Sequence, residues 1–317
     1  MKIFNIFKKK KNSVPPQDIV GKSVLQDEKV VEVDKFCHEH NIIDGNLRNK
    51  ILELAKIQGL KNYIKEVQKI KPVMIVANGP GFKFCEISNR NREDYVFCFM
   101  NNSPLANVFW EIKPEYYIQA DPLFFQKDIN REDILMTREK LLNEVSWDIV
   151  FFVPYSKYEK AKDIYSYNSY LNIIPYHDTN LSVNMNKDDK NLIFHLGLDA
   201  PIVQNVLIGA IYCLINTGYK EIELYGATHS WTTQLTVNNK NEVCLRDEHF
   251  YDNQNPELRP WYKVTGTIYK MHEILRDLAQ MFDSYWVLKD YAESKGVKII
   301  NKTKNSFIDA FERGGEL

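Results

Sequence analysis

The sequence predicts an α/β fold, a mostly parallel sheet with helices on both faces. Three observations carry that expectation. Continuous apolar runs of strand length recur between residues 71 and 301, and the first three end in Asn, Asp, Gly, Pro or Ser. Runs without polar alternation belong to strands buried on both faces. The longest apolar stretch, Asn205-Val-Leu-Ile-Gly-Ala-Ile-Tyr-Cys-Leu-Ile-Asn216, falls well short of the roughly 20 residues that span a bilayer and reads as a buried helix. Strands that take turns with helices pair in parallel, because each crossover returns the chain to the same end of the sheet. The expected fold is Rossmann-like.

The elements follow in chain order. The start, Met1-Lys-Ile-Phe-Asn-Ile-Phe-Lys-Lys-Lys-Lys11, sets four apolar residues before Lys8, Lys9, Lys10 and Lys11. It lacks a small-residue cleavage site, so a secretory signal is not expected. Its composition suits either a solvated terminus or a segment lying on an anionic membrane surface. Residues up to 21, with Pro15 and Pro16, read as a linker. From 22 to 70 a helical extension is expected, since Leu47, Ile51, Leu54 and Ala55 share one face. The main domain, 71–317, opens with a strand in Pro72-Val-Met-Ile-Val-Ala77 that ends in Asn78-Gly-Pro-Gly81. Further strands are expected in 94–100, 115–120, 147–153, 171–174, 220–226 and 297–301. Between about 232 and 265 the chain is polar and rich in Asn and aromatics, outside the alternation, and is expected to be a lid beside the strand ends.

Composition narrows the function classes. Of 317 residues, 44% are hydrophobic and 26% charged, enough apolar material for a large core. Lys plus Arg number 41 against 42 for Asp plus Glu, so no global field draws the chain to nucleic acid. The five cysteines are odd in number and scattered, unlike a disulfide framework or zinc knuckle, and a reducing, cytoplasmic setting is expected.

Ligands of an open α/β sheet bind at the carboxyl ends of its strands, which directs attention to the residues just after each strand. After the first come Asn78, Gly79, Pro80 and Gly81, whose backbone can approach a ligand closely. After the second come Asn101, Asn102 and Ser103, and after the third Asp121. Each of these also suits a helix N-cap, but three successive strand ends of this type make coincident capping less attractive. No Gly-x-Gly-x-x-Gly dinucleotide fingerprint or Gly-x-x-x-x-Gly-Lys-Ser/Thr loop is present.

With these residues in place the sequence resembles the bacterial sialyltransferases whose first strand ends in Gly-Asn-Gly-Pro-Ser, together with related lipopolysaccharide, capsule and flagellar glycosyltransferases. Ala77-Asn-Gly-Pro-Gly81 stands for that signature, with Gly81 in place of Ser. Asp121-Pro-Leu-Phe-Phe125 is similar to the family's Asn-Pro-Leu-Phe-Phe, and Gly218-Tyr-Lys-Glu-Ile-Glu-Leu-Tyr-Gly226 to its later strand. Glu248-His249-Phe250 corresponds to Ser-His-Tyr, and Lys304-Asn305-Ser306 to Pro-Asn-Ser. The resemblance spans residues 71–312.

It implies inverting transfer of sialic acid or a related keto-sugar acid from a CMP-activated donor to a hydroxyl of a glycan or glycolipid acceptor, with no metal and no cofactor. His249 is implied as the general base, a role that an imidazole with an ordinary pKa of about 6.5 suits. His229 is the rival base, just past a strand end with Trp231 as a possible stacking wall. Asn205, Gly226, Thr228, Ser230, Tyr251, Asn305 and Ser306 complete the expected donor site. Thr228 replaces the family's Asp, and its two phosphate-binding tyrosines are missing at the matched positions, so Tyr251 or Tyr262 would have to serve. Two other classes stay open: a pterin diphosphokinase using ATP and Mg²⁺, and a non-catalytic interaction protein.

Overall fold

The structure, a computed structural model, describes Val31, Lys35, His38, residues 71–79, Ile87, 93–246, 258–263 and 265–314. The chain divides into two compact units, residues 1–57 and 58–317. In the first, Val31, Lys35 and His38 are helical and exposed. The basic start, the linker and most of the expected helical extension lie outside the described residues, as do Pro80, Gly81, His249 and Tyr251.

The second unit is built on an eight-stranded sheet. Its strands are β1 (Val73–Val76), β2 (Val96–Met100), β3 (Tyr116–Ile118), β4 (Ile149–Pro154), β5 (Leu171–Tyr176), β6 (Glu221–Tyr225), β10 (Lys298–Asn301) and β11 (Glu312–Arg313). They stand in the order β11-β10-β6-β1-β2-β3-β4-β5, and every neighbouring pair is parallel. The expected strands are all present. The two-residue edge strand β11 is too short to announce itself as an apolar run.

Alternation along each strand makes two cores. Val73 and Ile75 of β1, with Ala77 just beyond it, face one layer, with α5 (Val206–Asn216) and α7 (Met271–Ser294). Met74 and Val76 face the other, where α1 (Asn107–Ile112), α2 (Glu132–Asn143) and α3 (Tyr158–Tyr165) pack. Helix α4 (Lys187–His195) joins the first layer through Phe194. Every residue of α5 from Leu207 to Asn216 is buried, because the helix lies against β1, β2 and β3 and also against α7. A helix enclosed in this way has no solvent face, and so it reads as one unbroken apolar run. Gly209 lets it come close: a Cβ there would stand 2.9 Å from the Tyr176 hydroxyl.

The 24-residue helix α7 is absent from the elements expected above. It opens with a capping box, in which the Lys270 N–H donates to the Glu273 carboxylate at 2.8 Å, and it buries Ile274, Leu278, Met281, Tyr285 and Leu288. The expected lid begins with α6 (Trp231–Gln234) and carries an antiparallel sheet of β7 (Leu235–Val237), β8 (Val243–Leu245) and β9 (Arg259–Pro260). Val243 belongs to the same core as α5, so the base of the insertion is anchored. No helix among the described residues is long and apolar enough to cross a membrane.

Ile211 is fully buried in α5. Replacing it with Ala should cost about 2–5 kcal/mol, the usual result of cutting a buried aliphatic side chain down to a methyl. Urea unfolding should show the midpoint falling at unchanged slope.

Candidate functional site

The strand order places the site. From β1 the chain steps outward through β2, β3, β4 and β5, then returns to lay β6 on the other side of β1. The next strand after β1 lies on one side of it and β6 on the other, and such a reversal of strand order opens a crevice at the carboxyl ends. The residues after β1, β2, β6 and β10 share that rim.

Backbone contacts lace the rim together. Ala77 N–H donates to the Tyr225 carbonyl at 2.8 Å, and Gly79 N–H to the Gly226 carbonyl at 2.8 Å. A Cβ on Gly79 would stand 2.2 Å from the Gly226 oxygen and 2.8 Å from Thr228 Oγ1, so no larger residue fits there. Asn78 Nδ2 donates to the Met100 carbonyl at 3.3 Å, tying β1 to β2. On the other flank, Ala227 N–H donates to Thr303 Oγ1 at 3.0 Å and Phe307 N–H to the Thr228 carbonyl at 2.8 Å. Ser306 Oγ donates to the Ala227 carbonyl and accepts from Asn301 Nδ2 at 3.0 Å. Ser306 therefore braces the loop, while Asn305 beside it is exposed.

Three non-glycine residues on this rim hold left-handed backbone: Asn101 at φ 46°, His229 at φ 51° and Asn305 at φ 54°. Such residues cost of order 1–3 kcal/mol each and persist where the surroundings fix them, Asn being the most tolerant. A buried polar chain does this for Asn101. Tyr165 OH donates to Gln119 Oε1 at 3.0 Å, Gln119 Nε2 donates to Tyr117 OH at 2.8 Å, and Tyr117 OH donates to the Asn101 carbonyl. Burial pushes the Tyr165 phenol up to about 12, so it stays a donor at any working pH.

Among the described residues, Asn78 Oδ1, Asn101 Oδ1 and Ser103 Oγ are buried without a hydrogen-bond partner. Leaving one such atom unmet costs about 1–3 kcal/mol, so three at the ends of two adjacent strands mark where the donors of a ligand or water belong.

The other expected residues divide. Asn102 is committed elsewhere: its Nδ2 donates to Asp133 Oδ2 at 2.8 Å and its Oδ1 accepts from Thr137 Oγ1 at 2.9 Å, both on α2. Asp121 caps a 3₁₀ turn, accepting from Leu123 N–H at 2.9 Å. For these two, local capping and packing account for the side chain. Thr228 and Ser230 are partly buried in the loop after β6.

His229 is buried, and its ring lies 4.6 Å from that of Trp231. Its Nε2 is 2.7 Å from the Tyr285 hydroxyl and 3.3 Å from Asn205 Nδ2. Asn205 also caps α5, its Oδ1 accepting from Leu207 N–H at 2.9 Å and Ile208 N–H at 3.3 Å. Burial alone holds the imidazole down at about 3. At neutral pH the ring is therefore uncharged and a poor proton acceptor.

Tyr285, Tyr117, Gln119 and Thr303 take part in the site without having stood out in the sequence. Tyr285 continues the helical period of Ile274, Leu278 and Met281, which marks it as a core position but gives no sign of its hydroxyl's partner. Among the described residues no group of three or more His, Cys, Asp or Glu side chains is placed to hold a metal ion.

The chain matches no protein-family model and no curated protein. Among solved structures, it is similar to the MAf glycosyltransferase from Magnetospirillum magneticum AMB-1 over 79% of its own length, at 12% identity and a TM-score of 0.45, and it spans 34% of that protein.

The depressed pKa of His229 has a stability consequence. In the unfolded chain the imidazole takes its proton near pH 6.5, whereas the folded ring resists until about 3. The unfolded state thus binds more protons across that window, and stability present above pH 6.5 is lost as pH falls towards 3. Relative to His229→Asn, the wild-type protein should lose unfolding free energy by up to about 1.4 kcal/mol per pH unit below pH 6, while the difference stays flat from pH 7 to 8.5. Urea titrations at four pH values would show it.

Proposed function

We propose that this chain is a metal-independent, inverting glycosyltransferase that moves a sialic acid-like keto-sugar acid from a CMP-activated donor to a glycan hydroxyl in bacterial surface polysaccharide synthesis. The observation that carries the reading is the set of unpartnered polar atoms, the amide oxygens Asn78 Oδ1 and Asn101 Oδ1 and the hydroxyl Ser103 Oγ, at the β1/β2 rim beside the strand-order reversal. Amide oxygens only accept, so the matching ligand surface offers N–H or O–H groups. A cytosine amino group and ribose hydroxyls are of that kind. The same positions carry the resemblance to the Gly-Asn-Gly-Pro-Ser sialyltransferases, which supports a CMP-linked donor over other nucleotides.

In the reaction the acceptor oxygen bonds to the anomeric carbon as that carbon's bond to the phosphate oxygen breaks. The acceptor proton passes to a base, and CMP leaves. His249 is the proposed base, since the buried His229 is a weak one. Asn101, fixed in place by the Tyr165–Gln119–Tyr117 chain, would hold the donor without reorganising, a condition for electrostatic help in the transition state. The insertion around β7–β9 would cover the crevice, and residues 1–11 would keep the enzyme at an anionic membrane where glycolipid acceptors lie.

Thermal-shift screening tests the donor class. CMP should raise the melting temperature, by an amount equivalent to about 2.7 kcal/mol at a hundred times its dissociation constant, while Asn101→Ala and Ser103→Ala should reduce the shift. Stabilisation by ATP with Mg²⁺ and not by CMP would overturn the proposal in favour of a kinase-type enzyme.

His249→Ala should keep the CMP-induced shift and lower transfer by roughly 10²–10⁴-fold. Single-turnover measurement with a labelled CMP-sugar would read it, and undiminished turnover would remove the base role from His249.

A further inference from the structure

The hydrogen bonds around His229 fix its tautomer, and with it the kind of group it can bind. Asn205 Oδ1 is taken by Leu207 and Ile208 N–H at the start of α5, which orients the amide so that Nδ2 faces Tyr285 and His229. Nδ2 donates to the Tyr285 hydroxyl at 3.0 Å. That hydroxyl then has two acceptors within reach of its own proton. Asn205 Oδ1, at 3.2 Å, already accepts two backbone N–H groups, and His229 Nε2, at 2.7 Å, is the nearer, to which the proton is directed. Nε2 also faces Asn205 Nδ2, a second donor at 3.3 Å. The Asn205 amide nitrogen can only donate, and a Tyr285 proton directed at Nε2 leaves that nitrogen offering its lone pair, which puts the ring proton on Nδ1. Nδ1 has no partner among the described residues.

We infer that His229 is a fixed, neutral Nδ1–H donor for an anionic phosphate oxygen of the ligand, with Asn205 and Tyr285 as the positioning residues that hold it in that state. The inference rests on the nucleotide reading for its ligand, but its tautomer stands on geometry alone. The position in the chain fits: His229 follows β6, the strand beside β1 at the reversal, where a donor would complement the unmet polar atoms after β1 and β2. Burial is the cause of the lowered pKa, and no charged neighbour contributes to it. The ring therefore donates without changing charge as the leaving phosphate gains negative charge. Asn is the one replacement that suits both demands, because it tolerates a φ of 51° and its amide nitrogen can stand where Nδ1 stands.

Nitrogen-15 NMR of histidine-labelled full-length protein reads the tautomer without any ligand. The expected result is an Nδ1–H ring that does not titrate between pH 5 and 8. Tyr285→Phe should shift the ring towards a tautomer mixture. Asn205→Asp, which keeps the helix cap but places a carboxylate near Nε2, should bring a titration into view within that range. An Nε2–H ring in the wild type, or a wild-type titration near pH 6.5, would overturn the inference, as would Tyr285→Phe and Asn205→Asp spectra both unchanged from the wild type.

Calorimetry with CMP and with cytidine then tests the ligand. His229→Gln should weaken CMP by about ten- to hundredfold, the weight of a hydrogen bond to a charged group, and leave cytidine unchanged. His229→Asn should keep CMP within about threefold of the wild type. Equal loss of CMP and cytidine, or a CMP affinity indifferent to His229→Gln, would overturn the phosphate assignment. If the wild type binds neither compound, the CMP reading and the phosphate assignment fall together, while the NMR result still decides the tautomer.

Discussion

The rim depends on one close approach, the hydrogen bond from Gly79 N–H to the Gly226 carbonyl across the point where the strand order reverses. Loops that leave β1 and β6 would ordinarily part at once. Here they stay in contact as far as Gly79, three residues past β1, because the position facing Gly226 and Thr228 carries no side chain. Everything on the rim is referenced to that contact. Asn78 is delivered to the end of β2, and the loop holding Thr228 and His229 is pinned from its other side by Thr303, Ser306 and Phe307.

Around this contact, buried polar groups set the shape of the crevice. One chain, from Tyr165 through Gln119 and Tyr117, ends on the strained carbonyl of Asn101; another, from Asn205 through Tyr285, ends on His229. Such chains are stiff, since moving one member leaves a buried donor or acceptor unmet. They stand in contrast to the open ends at Asn78, Asn101 and Ser103, where partners are lacking. Unmet polar atoms beside fixed neighbours at a strand-order reversal are the arrangement expected where a ligand binds.

Much of the main fold was legible because fully buried parallel strands and an enclosed helix leave continuous apolar runs. All seven expected strands of the main sheet form, and the stretch from Asn205 to Asn216 is the buried α5 with its cap. The helix α7 escaped because it is amphipathic, with charged residues between Ile274, Leu278, Met281 and Tyr285, so no unbroken run betrays it. Among the expected site residues, Asn78, Gly79, Asn101, Ser103, Gly226, Thr228 and His229 come together at the reversal. Asn102 and Asp121 have the same composition and the same place after a strand, yet their side chains serve α2 and a 3₁₀ turn.

By itself the sequence determined the layers of this protein and which loops face the crevice, because hydrophobic period and strand-end chemistry are properties of neighbouring residues. It did not determine which Asn in Asn101-Asn102 turns towards a ligand, or that a tyrosine on α7 and an asparagine capping α5 fix the proton of His229. Those outcomes depend on groups 24 to 80 residues apart in the chain meeting in space. A side chain's hydrogen-bond role follows from its three-dimensional neighbours, so only the tertiary structure decided it.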